Sequence, residues 1–237
     1  MKYLLSIVCL LFAIISFAQN HEYLLNPVDG FSKKKTSYIT LNDGTELSGT
    51  IKKLKRKKGL FEEITLNTDS GKEKIKAEKI SHMYLPQGGL DKLANAMDVM
   101  DNAQRWDGDN TINQEYIKDG YAYFESAEVQ IKKKKTQTLL LQLLNPAFSN
   151  KVKVYHDVYA KESGGLGIGG IQMTGGRDKS YFFKKGNDVA FKLKKKQYGD
   201  QAASIYDDCK DYYETIKSDL KWARFEQQIY DYSQTCK

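Results

Sequence analysis

Residues 1–18, MKYLLSIVCLLFAIISFA, constrain everything after them, because they decide which residues the fold contains and in which compartment it forms. Lys2 gives a short positive start, residues 4–17 form an almost unbroken apolar run, and Ser16 and Ala18 are small residues at the two positions a signal peptidase reads. The run is shorter than the roughly 20 residues a spanning helix needs, and no basic cluster follows directly. The stretch reads as a cleaved secretory signal peptide with Gln19 as the new N-terminus, so no transmembrane span is expected in the mature chain.

Export sets the redox state. Cys9 leaves with the signal and only Cys209 and Cys236 remain. An even pair in an exported chain predicts one disulfide. The chain is basic, with 37 Lys and Arg against 30 Asp and Glu, and the charge is clustered in residues 33–35, 52–58, 132–135 and 192–196. Such runs are often solvated strand faces and turns, and they also suit anionic partners. The candidate contacts for an anionic surface are Lys52, Lys53, Lys55, Arg56, Lys57, Lys58, Lys132, Lys133, Lys134 and Lys135.

After a basic, mobile lead-in over 19–36, the apolar period becomes two. Ile39 and Leu41 alternate, Asn42-Asp43-Gly44 signals a tight turn, and Leu47, Gly49 and Ile51 share a face. Strands over 60–66 and 72–77 follow, the second with Lys72, Lys74 and Lys76 on the face opposite Ile75, and a strand over 80–85 ends before Pro86. This predicts a small antiparallel β domain over 37–86, a barrel or curled sheet with one wet face. Residues 87–112 then form a helix and linker, the helix running over about 90–105 with Leu90, Leu93, Met97 and Met100 on one stripe.

A second β domain is expected over 113–196, with strands at 121–131, 136–144, 151–159, 181–183 and 189–193, the last two joined by the hairpin signal Lys185-Gly186-Asn187-Asp188. From Tyr198 the period is helical: Ala202, Ile205 and Cys209 are spaced i, i+3, i+7, and Trp222, Phe225, Ile229, Tyr232 and Cys236 form one stripe. The fold class is therefore α+β: two antiparallel β units with an intervening helix and a C-terminal helical segment over 197–237, tied by the Cys209–Cys236 bridge.

Other motifs fail on context. Gly165, Gly167 and Gly170 have dinucleotide-fingerprint spacing, but the following Ile171-Gln172-Met173-Thr174-Gly175-Gly176 cannot sustain the helix whose amides hold a pyrophosphate. Asp107, Asp109 and Thr111 begin like a calcium loop, yet Ile112 stands at the glycine position and Lys118 at the glutamate position, so a turn or cap is expected. His21, His82 and His156 lack zinc spacing, and no G-x-S-x-G elbow occurs. No cofactor or metal is expected.

Two resemblances follow from residue order. Residues 39–51, ITLNDGTELSGTI, resemble the first motif of Sm-like RNA-binding barrels, which implies a shared strand geometry. Glu62-Glu63 replace the expected Asp and Asn, and the Arg-Gly of the second motif is missing around 79–84, so no nucleic-acid partner is expected. More broadly, the order of the Asn42-Asp43-Gly44 hairpin, Leu143-Leu144-Asn145-Pro146-Ala147-Phe148, Val152-Lys153-Val154-Tyr155, Lys179-Ser180-Tyr181-Phe182-Phe183, Asp208-Cys209 and Tyr232…Cys236 is similar to that of a group of uncharacterised exported proteins of Bacteroidota. That resemblance implies a periplasmic, outer-membrane-associated or extracellular location, a disulfide, and no known activity. The expected function is a non-enzymatic binding or structural module of the cell envelope, with an unknown envelope component or anionic surface as partner. The alternative is an exported hydrolase with a dispersed active site.

Overall fold

One ten-stranded mixed sheet takes up both strand-rich stretches. The computed structural model describes residues 23–94, 96–109, 111–160, 167–168, 171–172 and 179–236, so the leader lies outside it. In chain order the strands are β1 (Thr36–Leu41), β2 (Glu46–Lys57), β3 (Leu60–Thr68), β4 (Gly71–Lys76), β5 (Ile80–Pro86), β6 (Tyr121–Lys132), β7 (Lys135–Gln142), β8 (Val152–His156), β9 (Gly167–Ile168), β10 (Ile171–Gln172), β11 (Ser180–Lys185) and β12 (Ala190–Lys194). The helices are α1 (Gly89–Ala94), α2 (Ala96–Gln104), α3 (Gln114–Lys118), α4 (Tyr198–Ile205), α5 (Lys210–Ile216) and α6 (Phe225–Thr235).

The sheet runs β4-β3-β2-β1-β5-β6-β12-β11-β8, with β7 on the other edge of β6, and it does not close. Two separate antiparallel units were expected; the structure joins them through β6. At 12 residues this strand is roughly 40 Å long, enough to serve two neighbours in succession. Residues 121–125 pair antiparallel with β5, and Val129 and Gln130 pair parallel with Ala190 and Phe191 of β12. That parallel pair makes the sheet mixed, and the long chain between β6 and β12 supplies the crossover a parallel pair requires.

Three cores stack around this sheet. Ile39, Ile51, Ile64, Leu66, Ile75, Met83, Phe124 and Leu140 fill the curl of β1 to β7. Tyr84, Tyr123, Val129, Leu139, Leu141, Tyr155, Phe182 and Ala190 form the middle core. Val152, Val154, Tyr181, Phe183 and Leu193 face the C-terminal helices through Tyr198, Ile205, Trp222, Phe225, Ile229 and Tyr232. The β6–β7 hairpin is the wall between the first two cores. Leu140 points into one while Leu139 and Leu141 point into the other, so β7 is a continuous apolar run and not an alternating one. Close strand approach also fixes Gly49, where a Cβ would come within 2.3 Å of the Asn67 carbonyl oxygen.

The lead-in is packed from Tyr23 onward. Leu24, Leu25 and Val28 are buried, the Leu25 amide donates to the Leu144 carbonyl, and the Val28 amide donates to Gln142 Oε1. Helix lies over Gly89–Ala94 and Ala96–Gln104, but its inward residues are Val99 and Asn102, whereas Met100 is 63% exposed. Met100 therefore lies off the buried face expected for it, and the side chains of Leu90, Leu93 and Met97 lie outside those described. At the C-terminus the stripe of Trp222, Phe225, Ile229, Tyr232 and Cys236 is buried throughout, whereas the expected stripe of Ala202, Ile205 and Cys209 is interrupted, because α4 ends at Ile205 and Cys209 is the residue before α5. Cys209 and Cys236 form the disulfide with Cα atoms 5.9 Å apart, joining the residue before α5 to the residue after α6.

Candidate functional site

The predicted basic run on β2 is sorted by two bulges. Regular alternation from the buried Ile51 would turn Lys53, Lys55 and Lys57 inward. The register shift between Ile51 and Lys53 leaves Lys52 without a ladder partner and turns Lys53 outward opposite Thr65. Residues directly opposite across a ladder share a face, so rows form across β2, β3 and β4: Thr50–Asn67–Lys72, Lys53–Thr65–Lys74 and Lys55–Glu63–Lys76. Lys52 stands beside Lys72, and the neighbouring ammonium, with a smaller effect of desolvation, lowers the Lys52 pKa. Lys52, Lys53, Lys72 and Lys74 are exposed and form no ion pair among the described residues.

The other candidates have partners or lie elsewhere. Glu62, which is skipped in the ladder between Lys55↔Glu63 and Arg56↔Phe61, binds Lys55 at 2.9 Å and Lys57 at 3.8 Å. The hydrogen bond from Lys55 holds the Glu62 carboxyl below its usual range. Arg56 points to the opposite face, paired with Asp29 at 3.1 Å and placed over the rings of Phe61 and Phe31. It is a packing residue. Lys58 occupies the β2–β3 turn at φ 51°. Lys132, Lys133, Lys134 and Lys135 are exposed at the β6–β7 hairpin tip. Lys76 pairs loosely with Glu78 at 3.7 Å.

Two further polar clusters were not anticipated from the sequence. Glu125 of β6 accepts from Tyr155 Oη at 2.6 Å, Lys153 Nζ at 2.9 Å and Tyr123 Oη at 3.3 Å, and burial raises both tyrosine pKa values strongly. His82 lies across the ladder from Glu125; burial lowers its pKa while Glu125 and Glu46 oppose that shift. At the helical end Asp208 accepts from Lys151 at 2.8 Å, Lys185 at 2.7 Å and Tyr232. Burial would raise the Asp208 carboxyl, but these hydrogen bonds outweigh it and hold the group far below the usual carboxylate range. Neither cluster has a local sequence signature, because each draws its members from separated elements.

An open cleft of about 440 Å³ lies between the β11–β12 turn and α4, lined by Phe183, Lys185, Asn187, Phe191, Ser204 and Asp207. Among the described residues no group of His, Cys, Asp or Glu is arranged to hold a metal ion, and no helix is long and apolar enough to cross a membrane. Asp109 accepts from the Thr111 amide and hydroxyl, so the partial calcium motif makes a turn. In the glycine-rich stretch, Gly165 and Gly170 lie outside the described residues, while Gly167–Ile168 pairs antiparallel with Ile171–Gln172. Where the fingerprint needs a helix, there is a strand. Comparison of the chain with protein-family models, with curated proteins and with solved structures finds no match.

Proposed function

We propose that this chain is an exported, non-enzymatic protein of the cell envelope that binds an anionic partner through the exposed face of β2, β3 and β4. The observation that carries the reading is the corner of Lys52, Lys53, Lys72 and Lys74, four ammonium groups on one face with no carboxylate paired to them among the described residues. Like charges held side by side raise the energy of the free protein, and an arriving anion relieves that repulsion. The leader and the resemblance to exported Bacteroidota proteins support the location, and the Cys209–Cys236 bridge fits an oxidising compartment.

The test has two parts. Fractionation of the native cells should recover the protein, shortened by its leader, in the periplasm, outer membrane or medium; full-length protein in the cytoplasm overturns the location. Purified protein should be retained on immobilised dextran sulfate and released as salt rises to about 0.3 M, where screening shortens the reach of charge to several ångström. Exchange of the four corner lysines for glutamine should abolish retention. Retention that ignores salt, or that survives the exchange, sinks the electrostatic reading.

A further inference from the structure

We infer that the partner of the β2–β4 face is the phosphate-bearing headgroup layer of an anionic lipid membrane, to which the protein adsorbs without inserting. This deepens the proposed use of the basic face and rests on it. Same-face residues repeat roughly every 7 Å along a strand, and neighbouring strands lie about 4.8 Å apart. Lys52 and Lys53 on β2 and Lys72 and Lys74 on β4 therefore flank the short side chains of Thr65 and Asn67 as a two-dimensional grid. Thr65, in the middle row, is buried at 6% exposure. The charge is spread over an area and not threaded along a track.

The chemistry of the face narrows the occupant. Its cations at this corner are lysines, compact point charges without the planar fork that arginine uses for bidentate recognition of one phosphate. The nearby arginine, Arg56, is committed to Asp29, Phe31 and Phe61 on the other side. No aromatic residue belongs to the rows of the grid, so the face lacks the stacking platforms that hold single-stranded nucleic acids. It also lacks the buried aromatic or aliphatic anchor that dominates protein–protein affinity, since the exposed large apolar residues among those described, Met100, Ile131, Tyr159 and Val189, are on other elements. The described cleft is formed by β11, β12 and α4, at the opposite end of the strand order from β4. A wholly polar grid of point charges spread over two strands matches a plane of mobile anions, which can move to each ammonium in turn. Glu63, in the row of Lys55 and Lys76, sets one limit of the attractive area.

Edge protection accounts for part of this pattern. β4 ends the sheet, and lysines on an edge strand oppose pairing with a second copy. The membrane reading needs the β2 lysines as well, and the experiment separates the contributions. The purified processed protein is floated with vesicles of phosphatidylcholine alone, and with vesicles of equal parts phosphatidylcholine and phosphatidylglycerol. Dextran sulfate binding is measured in parallel. Each lysine at an anionic surface contributes about fivefold in affinity, so removing all four costs on the order of several hundredfold.

The expected result is flotation only with anionic vesicles, steep loss with salt, loss in the variant Lys52→Gln, Lys53→Gln, Lys72→Gln, Lys74→Gln, and retention in the variant with residues 132–135 changed to glutamine. The paired variant Lys52→Gln, Lys53→Gln, which leaves the edge strand intact, should lose about 25-fold. Circular dichroism and an unchanged melting temperature establish that the variants fold. Binding to dextran sulfate through the corner lysines without binding to anionic vesicles overturns the membrane inference and leaves the basic-face reading standing. Absence of both interactions overturns both. Vesicle binding that follows residues 132–135 and not the corner lysines also overturns the inference.

Discussion

At the β8 end of the sheet Lys151 and Lys185 terminate on Asp208, whereas at the β4 end Lys52, Lys53, Lys72 and Lys74 have no such partner among the described residues. The difference follows from what lies over each end. Helices α4 to α6 cover β8, β11 and β12, so lysines there lose water and are tolerated only with carboxylates beside them. On β2 and β4, Lys52, Lys53, Lys72 and Lys74 are exposed, so these lysines keep their hydration and their charge remains available. The same residue type is a structural tie at one end and a recognition element at the other.

The largest predicted effect tests the covered end. Reducing the Cys209–Cys236 bridge, which spans a sequence separation of 27, or replacing both cysteines with serine, should cost about 3–4 kcal/mol in denaturant melts by the chain-entropy model. A loss near zero would show that the helical layer holds without its tie. Asp157→Ala should follow at about 3 kcal/mol, because it strands Lys192 and leaves the Ser180 hydroxyl and Tyr159 amide without their acceptor.

Acid titration sharpens the comparison further. The Asp208 carboxyl titrates lower in the folded protein than its ordinary 3.8, so the unfolded chain takes the proton first as pH falls. Its stabilising contribution is full above that ordinary value and is lost as pH drops toward the folded one. Asp208→Asn should flatten the acid limb of a stability–pH curve; with the side chain 39% exposed, its effect at neutral pH is about 1 kcal/mol at most. At the joint between the strand regions, burial lowers His82 from its ordinary 6.5, so the unfolded state again binds the proton first. Stability should therefore decline as pH falls below about 6.5 and level off beneath the folded pKa, and His82→Gln should remove that component. The smallest change belongs to the open end. Exchanging the four corner lysines for glutamine should move stability by no more than about 0.5 kcal/mol per site while removing polyanion binding. A marked loss of stability would mean that these lysines are structural after all.

Local patterns were legible wherever a residue's fate depends on near neighbours. The period of Trp222, Phe225, Ile229, Tyr232 and Cys236 predicts the buried face of α6, and the Asn42-Asp43-Gly44 and Gly186-Asn187-Asp188 turns predict their hairpins. Met100 shows the limit: several rotations of a short amphipathic helix bury similar apolar area, and the packed structure selects Val99 and Asn102 instead. The basic run was visible as a run, but its division was not. A bulge at Lys52 and another at Glu62 decide which side chains face water, and bulges have no reliable local sequence signature.

By itself the sequence determined the export leader as an expectation, the single pairing open to Cys209 and Cys236, the positions of most strands and the C-terminal helices. These rest on composition, count and period, which are properties of contiguous residues. Only the tertiary structure decided that β6 joins the strand regions through a parallel pair with β12, that the β6–β7 hairpin separates two cores, that Glu125 and Asp208 each draw lysine and tyrosine side chains from separated elements, and that four lysines at the far end of the strand order have no carboxylate partner among the described residues. Those outcomes depend on register between segments far apart in the chain, where a shift of one residue exchanges the buried face for the exposed one.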